Sequence, residues 1–261
     1  MKNLFNSILT AFAMFSKIPV RTKSLNWEPD GMRYMLAAFP LIGVVIGAVM
    51  FGWILLCDYF EAAAALRALG VTLIPVLITG GLHLDGLCDT CDALGANTTP
   101  ERRREILKDP RAGAFGVIGV VTHLIAYFAL ALAFDYNGAG VLRLCLGFAV
   151  SRAMSGMAVS GFPNVGDGTA KTFKDASAQK VTFFLCCVNC FFMGLSFGIV
   201  SDFAGTVAWL AVSLACFAHL RYTATRKFGG MSGDLAGWFL QRCELWQLAS
   251  IVLVGWVQHW K

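Results

Sequence analysis

An aspartate cluster lies in the stretch from Gly80 to Asp92, which reads GGLHLDGLCDTCD. Asp85, Asp89 and Asp92 recur at i, i+4 and i+7, so on a helix the three carboxylates share one face. Their charges repel each other at neutral pH, and a bound cation relieves that repulsion. Mg²⁺ favours one or two carboxylates together with waters and substrate phosphates. The spacing therefore predicts a magnesium site, and the alternative is a solvated helix start whose dipole favours negative charge.

A second stretch whose residues could take part in catalysis or binding is KDPRAGAFG, from Lys108 to Gly116. Lys108 and Arg111 stand beside glycines at the start of an apolar run. Cationic side chains next to free N–H groups form an anion site, so both residues are predicted to bind phosphate. Asp109 is predicted to add a metal ligand or to take a proton.

A glycine-rich turn, GGMSGD, occupies residues 229–234. Its glycines allow a backbone to approach a ligand closely, and the N–H groups of such a turn bind phosphate. We predict that Gly229 and Gly230 bind phosphate and that Asp234 acts as a metal ligand or proton acceptor. An ordinary turn in a polar loop gives the same pattern.

Two further residues are candidates because of where they stand. Arg152 lies inside an apolar run, and ionisable residues within membrane spans are functional candidates. We predict a phosphate contact for Arg152, with a side chain that extends to the membrane surface as the alternative. His83, beside the aspartates, is predicted to hydrogen-bond substrate or to orient a carboxylate.

The elements that carry these residues are predicted to be membrane helices. The chain is 57% hydrophobic and only 14% charged, with a mean hydropathy of +0.66, whereas soluble domains are about 25% charged. Backbone groups in lipid must be satisfied internally, which favours helices. We predict one all-α transmembrane catalytic domain over residues 1–261, with an interfacial or membrane helix in residues 4–20. The seven predicted spans are 34–56, 64–80, 114–134, 140–160, 181–200, 205–221 and 245–258.

Charge distribution predicts the orientation. Lys and Arg are concentrated in the loops at 21–33, 81–113, 161–180 and 221–244, and the alternate loops carry none. Positive residues favour the cytoplasmic side, so these four loops and the candidate site are predicted to face the cytoplasm. The loop 161–180, with Asp167, is predicted to form a substrate flap. The basic residues form no single stripe, so nucleic acid is not expected as a partner.

Cys88 and Cys91 form a C-x-x-C pair. A structural zinc site needs a second such pair or nearby histidines, and neither follows. The cysteines are therefore predicted to serve as small apolar side chains.

Taken together, the motifs resemble the cobalamin synthase family, also called adenosylcobinamide-GDP ribazoletransferases. The family pattern is GGLHxDGLxDxxD, then KDxRxGxxG, then SR in a span, then GGxTGD, and all four motifs appear here in that order. The Ile18-Pro19-Val20 sequence after an apolar run is also similar. Ala93, Pro110 and Ser232 depart from the usual pattern, and none of these changes removes a charged group.

The resemblance implies a Mg²⁺-dependent transferase in the cytoplasmic membrane of bacteria, at a late step of vitamin B12 biosynthesis. Such an enzyme joins adenosylcobinamide-GDP to α-ribazole, or to its 5′-phosphate, and releases GMP. Its expected partners are the corrinoid-GDP and ribazole substrates and the lipid bilayer. A homo-oligomer and contacts with other corrinoid-pathway enzymes stay open. The alternatives are an enzyme similar to CDP-alcohol phosphotransferases, although their DGxxAR arrangement is absent, and a cation-coupled transporter.

Overall fold

The computed structural model describes residues 2–21, 23, 25–165, 169–177, 180–199 and 202–259. Within these ranges the regular structure is helical, and one isolated bridge joins Asn164 to Met231. The all-α prediction is therefore confirmed. The elements are α1 (Lys2–Phe15), α2 (Pro29–Met32), α3 (Met35–Tyr59), α4 (Ala64–Thr79), α5 (Leu82–Gly95), α6 (Pro100–Ile106), α7 (Ala114–Ala133), α8 (Gly138–Gly161), α9 (Thr169–Ala176), α10 (Val181–Ile199), α11 (Phe203–Tyr222), a π-helical segment (Thr223–Phe228) and α12 (Gly233–His259).

Four helices in the described part of the chain are long and apolar enough to cross a membrane: α3, α7, α8 and α11 with the π-helical segment. The bent pair α4–α5 makes a fifth if it counts as one span. Helices α10 and α12 lie at the positions of the two other predicted spans, but the predicted number of seven is not confirmed. Helix α1 has 14 residues, about 21 Å at 1.5 Å per residue. That length is short of a hydrocarbon core of about 30 Å and favours the interfacial interpretation.

Helix α8 forms the centre of the bundle. It packs against α3, α10 and α12, and most of its side chains are buried. Gly43 and Gly47 of α3 lie against the backbone of α8. A Cβ on Gly43 would collide with the carbonyl of Phe148, and one on Gly47 would lie 2.6 Å from the carbonyl oxygen of Cys145. Small residues allow such close backbone approach between membrane helices, where packing rather than hydrophobicity drives association.

A sharp break separates α4 from α5. Gly80 and Gly81 adopt positive φ values of 66° and 81°, which glycine populates without steric cost. The two helices meet at 94°. The break was not predicted, because the sequence was interpreted as one span ending at residue 80. It turns α5 across the bundle and so directs the aspartate motif toward the other helices.

One buried charged side chain links two helices of the bundle. Arg143 is 2% exposed, and its Nη2 donates to Asp202 Oδ2 at 2.8 Å. Its Nε donates to Thr206 Oγ1 at 3.3 Å. The residue therefore links α8 to the start of α11.

Candidate active site

The aspartate motif forms one face of α5, as the spacing predicted. Asp85 is exposed, and Asp89 and Asp92 are half-buried. Helix α5 begins directly after the Gly80-Gly81 turn, with Asp85 in its first turn. This arrangement places the first carboxylate at the positive end of the helix dipole.

Two glycines bring α5 against α12. A Cβ on Gly86 would lie 2.7 Å from the carbonyl oxygen of Asp234, and a Cβ on Gly237 would lie 3.4 Å from Cα of Gly86. Larger side chains at either position would separate the helices. The crossing carries Asp234, in the first turn of α12, to the aspartate face of α5. Sequence reasoning did not identify Gly86 or Gly237 as determinants of the site.

Three carboxylates therefore converge, from Asp85, Asp89 and Asp234. Asp85, Asp234 and Asp92 all repel the negative charge of Asp89, and Asp85 repels that of Asp234. Among the described ion pairs, none involves Asp85, Asp89 or Asp234. A divalent cation stabilises neighbouring carboxylates that have no ion-pair partner in the described part of the chain.

Asp92 has a different environment. Its Oδ2 accepts the backbone N–H of Gly113 at 2.7 Å, and its Oδ1 accepts that of Gly116 at 2.8 Å. Gly113 is the N-cap of α7, so Asp92 satisfies N–H groups that a helix start leaves free. A side chain on Gly116 would collide with this carboxylate. Both oxygens of Asp92 therefore hold α7 against α5, and its role as a metal ligand stays a prediction.

The C-x-x-C pair packs on the same face of α7. A Cβ on Gly116 would lie 2.6 Å from Cys88 Sγ, and one on Gly119 would lie 2.6 Å from Cys91 Sγ. Both thiols are free. Gly113, Gly116 and Gly119 thus form a groove that receives α5, which agrees with cysteines serving as small side chains.

The loop before α7 holds the predicted phosphate contacts. Asp109 accepts from Arg111 Nε at 2.9 Å and from Arg111 Nη2 at 2.8 Å. This bidentate pairing lowers the pKa of Asp109 to about 2. A carboxylate with so low a pKa is a poor proton acceptor near neutral pH, so the geometry does not favour Asp109 as a general base. Lys108 and Arg111 are exposed, and their phosphate contacts stay predictions.

The glycine turn uses its N–H groups internally. Gly229 has a φ of 77°, and its N–H bonds the carbonyl of Ala224. The Gly230 N–H donates to the same carbonyl at 2.8 Å. Phosphate binding by Gly229 and Gly230 stays a prediction that this geometry does not favour. The turn instead places Asp234 at the start of α12.

Arg152 is buried within the bundle and is paired there. Its Nη1 donates to Glu244 Oε1 at 2.7 Å, and Ser151 Oγ donates to the same oxygen at 2.9 Å. The exposed fractions of the two charged side chains are 1% and 5%. A buried pair of this kind holds α8 to α12 through one guanidinium nitrogen, whereas Arg152 Nε has no hydrogen-bond partner among the described residues. The phosphate contact of Arg152 stays a prediction that the structure does not favour.

Two cavities meet at Asp85. The first, about 170 Å³, has mostly apolar walls and includes His83 and Asp234. The second, about 530 Å³, is lined by Lys17, Gly80, Gly81 and Cys88. Lys17 is exposed, and its N–H donates to the carbonyl of Ile78 at 2.7 Å. This lysine beside the acidic face was not predicted, because Lys17 lies far from the aspartate motif in the sequence.

The predicted flap lies partly over the first cavity. Ala170 and Phe173 of α9 line that cavity, and Lys174 Nζ donates to the carbonyl of Phe162 at 2.7 Å. Asp167 lies outside the described residues. Helix α9 therefore covers the apolar cavity from one side.

The donor set agrees with a Mg²⁺ site in its chemistry. Among the described residues, no three His, Cys, Asp or Glu side chains already form a closed ligand set. Mg²⁺ does not require one, since it typically takes one or two carboxylates and completes its octahedron with waters and phosphate oxygens. Asp85 and Asp89 provide hard oxygens, and neither takes part in an ion pair within the described residues.

Comparison with known proteins identifies the family to which the chain belongs. Residues 7–252 match the model of the CobS family, cobalamin-5-phosphate synthase. The chain belongs to this family. The family predicted from the four motifs is thereby confirmed.

Relatives cover nearly the whole chain. A protein of Lachnoclostridium phytofermentans named adenosylcobinamide-GDP ribazoletransferase is 37% identical over 98% of this chain and 98% of its own length. A protein of the same name from Pseudomonas syringae is 32% identical over 94% of this chain and 98% of its own length. A protein of the same name from Clostridium botulinum is 29% identical over 97% of this chain and 99% of its own length. No solved structure matches the chain.

Proposed function

We propose that the chain joins adenosylcobinamide-GDP to α-ribazole, or to α-ribazole 5′-phosphate, and releases GMP in a late step of vitamin B12 assembly. Membership of the CobS family and the names of the relatives support the reaction. The observation that carries the proposal to specific residues is the convergence of Asp85, Asp89 and Asp234. Asp85 lines both the cavity that contains Lys17 and the apolar cavity.

The reaction is a displacement at phosphorus. A hydroxyl oxygen of the ribazole ribose attacks the phosphorus attached to the cobinamide side and forms a new P–O bond. The bond from that phosphorus to the bridging oxygen breaks, and GMP leaves with the electron pair. The hydroxyl proton passes to a base. Positioning and charge neutralisation supply most of the rate enhancement in such transfers.

The residues divide into roles by their contacts. Asp85 and Asp89 would hold Mg²⁺, which neutralises diphosphate oxygens and stabilises the leaving phosphate when bound. Asp234 takes the hydroxyl proton, because it borders the apolar cavity and is not paired to a described cation. Lys17 binds phosphate from the second cavity, and Lys108 and Arg111 add positive charge from their exposed loop.

The test is GMP release by the purified full chain in detergent, given both substrates and Mg²⁺. We expect Asp89→Asn to lower turnover by about 100-fold or more, since a metal ligand is lost. Asp58→Asn is the matched control, because Asp58 pairs with Arg67 at the far end of α3. Full Mg²⁺-dependent turnover by Asp89→Asn would show that the metal assignment is wrong.

We propose that the protein lies in the cytoplasmic membrane with the acidic site facing the cytoplasm. The alternation of basic and uncharged loops supports this orientation. Alkaline phosphatase fused after residue 259 should be active, and the same enzyme fused within residues 107–112 should be inactive. The reverse pattern would refute the orientation.

Transport is the second function class to separate. Transporters place binding groups near the bilayer midplane, whereas Asp85 and Asp234 lie in the first turns of their helices. The detergent assay decides between the classes, because an enzyme turns over without a gradient.

A further inference from the structure

The apolar cavity of about 170 Å³ has an aromatic wall. The rings of Phe15 and Phe39 lie 4.6 Å apart, and Phe173 meets Phe15 edge-on at 5.6 Å. Phe39 in turn lies 5.9 Å from the imidazole of His83. These side chains come from α1, α3, α9 and α5, so four separate elements build one surface suited to a flat ring.

Two polar atoms of the same lining have no hydrogen-bond partner among the described residues. They are His83 Nε2 and Ser155 Oγ. The two residues are 5% and 1% exposed. An unpaired buried donor or acceptor destabilises a fold, so a pair of them in the wall of one cavity points to a ligand that supplies the missing partner.

The size of the cavity limits that ligand. An apolar cavity of about 150 Å³ in another protein binds benzene, so about 170 Å³ suits a ring system of one or two fused rings. The lining also limits the polarity of the ligand. Guanine has polar atoms around most of its edge, and burying them against Phe15, Phe39 and Phe173 would leave several unpaired. An acyl chain would fill the space but would leave His83 Nε2 and Ser155 Oγ unpaired.

We propose that this cavity binds the aromatic base of the nucleoside acceptor, a flat and largely apolar nitrogen heterocycle. The proposal rests on the function proposed above, in which the acceptor is α-ribazole. The base of α-ribazole is a dimethylated benzimidazole, with two methyl groups and one free ring nitrogen. The methyl groups lie against the phenylalanine rings, and the ring nitrogen accepts a hydrogen bond from His83 Nε2 or Ser155 Oγ.

The location of the cavity gives the base a role in positioning. Asp85 and Asp234 belong to the same lining. A nucleoside whose base lies among the phenylalanine rings therefore directs its ribose toward the carboxylates, where the hydroxyl is needed. His83 and Ser155 thus determine specificity for the acceptor and do not contact the reacting phosphorus.

The experiment measures both binding and turnover for the full chain in detergent with Mg²⁺. Ala236→Leu fills the cavity, since Ala236 lines it, and Ser155→Ala removes one polar atom. The matched control is Ala215→Leu, which fills a separate cavity beside Trp238. α-Ribazole binding is measured by equilibrium dialysis. The KM values for α-ribazole and for adenosylcobinamide-GDP are measured from GMP release.

We expect Ala236→Leu to raise the Kd and KM for α-ribazole roughly tenfold or more, as an occluded pocket should. Ser155→Ala should raise them about two- to tenfold. The KM for adenosylcobinamide-GDP should stay within about twofold of the wild-type value, and the control should change neither. With Ser155→Ala, a riboside of plain benzimidazole should lose as much affinity as α-ribazole, since both keep the ring nitrogen.

The contrary outcomes are distinct. A rise confined to the KM for adenosylcobinamide-GDP would place guanine in the cavity. Unchanged Kd and KM values for both substrates would indicate that a lipid chain occupies the cavity. Either outcome overturns the proposal. If Ala236→Leu does not fold, Ser155→Ala decides alone. Absence of GMP release by the wild type would refute the proposed function, whereas α-ribazole binding that Ser155→Ala weakens would still support the pocket.

Discussion

Replacement of Asp92 by alanine should destabilise the protein, because this carboxylate joins α5 to the start of α7. It accepts two backbone N–H groups, from Gly113 and Gly116, at 2.7 and 2.8 Å. Hydrogen bonds to a charged group contribute about 1.5–3 kcal/mol each. Asp92 is half-buried, so water replaces part of the lost interaction, and we expect a loss of about 2–4 kcal/mol.

The assay is thermal unfolding of the purified protein in detergent, followed by circular dichroism. For a chain of this size the expected loss lowers the midpoint by about 5–15 °C. Asp92→Asn keeps one acceptor oxygen and should lose about half as much. Asp89→Asn is the matched control, because it removes a repelled carboxylate from the same helix and should leave the midpoint unchanged or higher.

An equal midpoint for Asp92→Ala and Asp89→Asn would refute the distinction between a structural Asp92 and a metal-binding Asp89. A second measurement addresses the same distinction. Added Mg²⁺ should stabilise Asp92→Asn, which retains the proposed ligands, and should not stabilise Asp89→Asn. Stabilisation of both variants to the same extent would show that Asp89 does not bind the metal.

Three other changes test the geometry. Gly86→Ala should lower the free energy of unfolding by about 1–3 kcal/mol and lower turnover, because the new Cβ would lie 2.7 Å from the Asp234 carbonyl and separate the helices. Wild-type stability and turnover in this variant would contradict that close contact. Glu244→Gln should destabilise the fold by about 3–5 kcal/mol, since it leaves the buried Arg152 charge unpaired. A loss of activity without a loss of stability would instead indicate that the pair of Arg152 and Glu244 has a role in substrate binding. The pKa of Asp109 is lowered from 3.8 to about 2, so its carboxylate stays ionised down to about pH 2. Its contribution to the stability of the fold is therefore lost only as the pH falls from about 4 to about 2. The acid limb of a pH–rate profile above pH 4 should therefore persist in Asp109→Asn, and its disappearance would identify Asp109 as the proton acceptor.

The sequence by itself determined the helical membrane class and the family. Low charge and long apolar runs leave few alternatives to a helical membrane protein, because lipid requires every backbone group to be satisfied within the segment. The aspartate spacing also predicted one shared face correctly, since helical periodicity is a local property. These features depend on neighbours in the chain and can be inferred without knowing which helices touch.

Only the tertiary structure decided which charged groups are available for chemistry. Asp92 resembles Asp85 and Asp89 in sequence, yet both of its oxygens bond the start of α7. Arg152 has a partner 92 residues away in Glu244, and a pairing of that separation has no local signal.

The same reason explains the cavities. The glycine contact between α5 and α12 brings Asp234 to the aspartate face, and the break at Gly80 and Gly81 turns that face inward. His83 and Ser155 meet in one lining although they come from different helices. Periodicity determines which face a residue occupies, whereas helix crossings determine what that face meets. The sequence therefore indicated a set of acidic and basic residues, and the packing of the helices separated those at the site from those that support the fold.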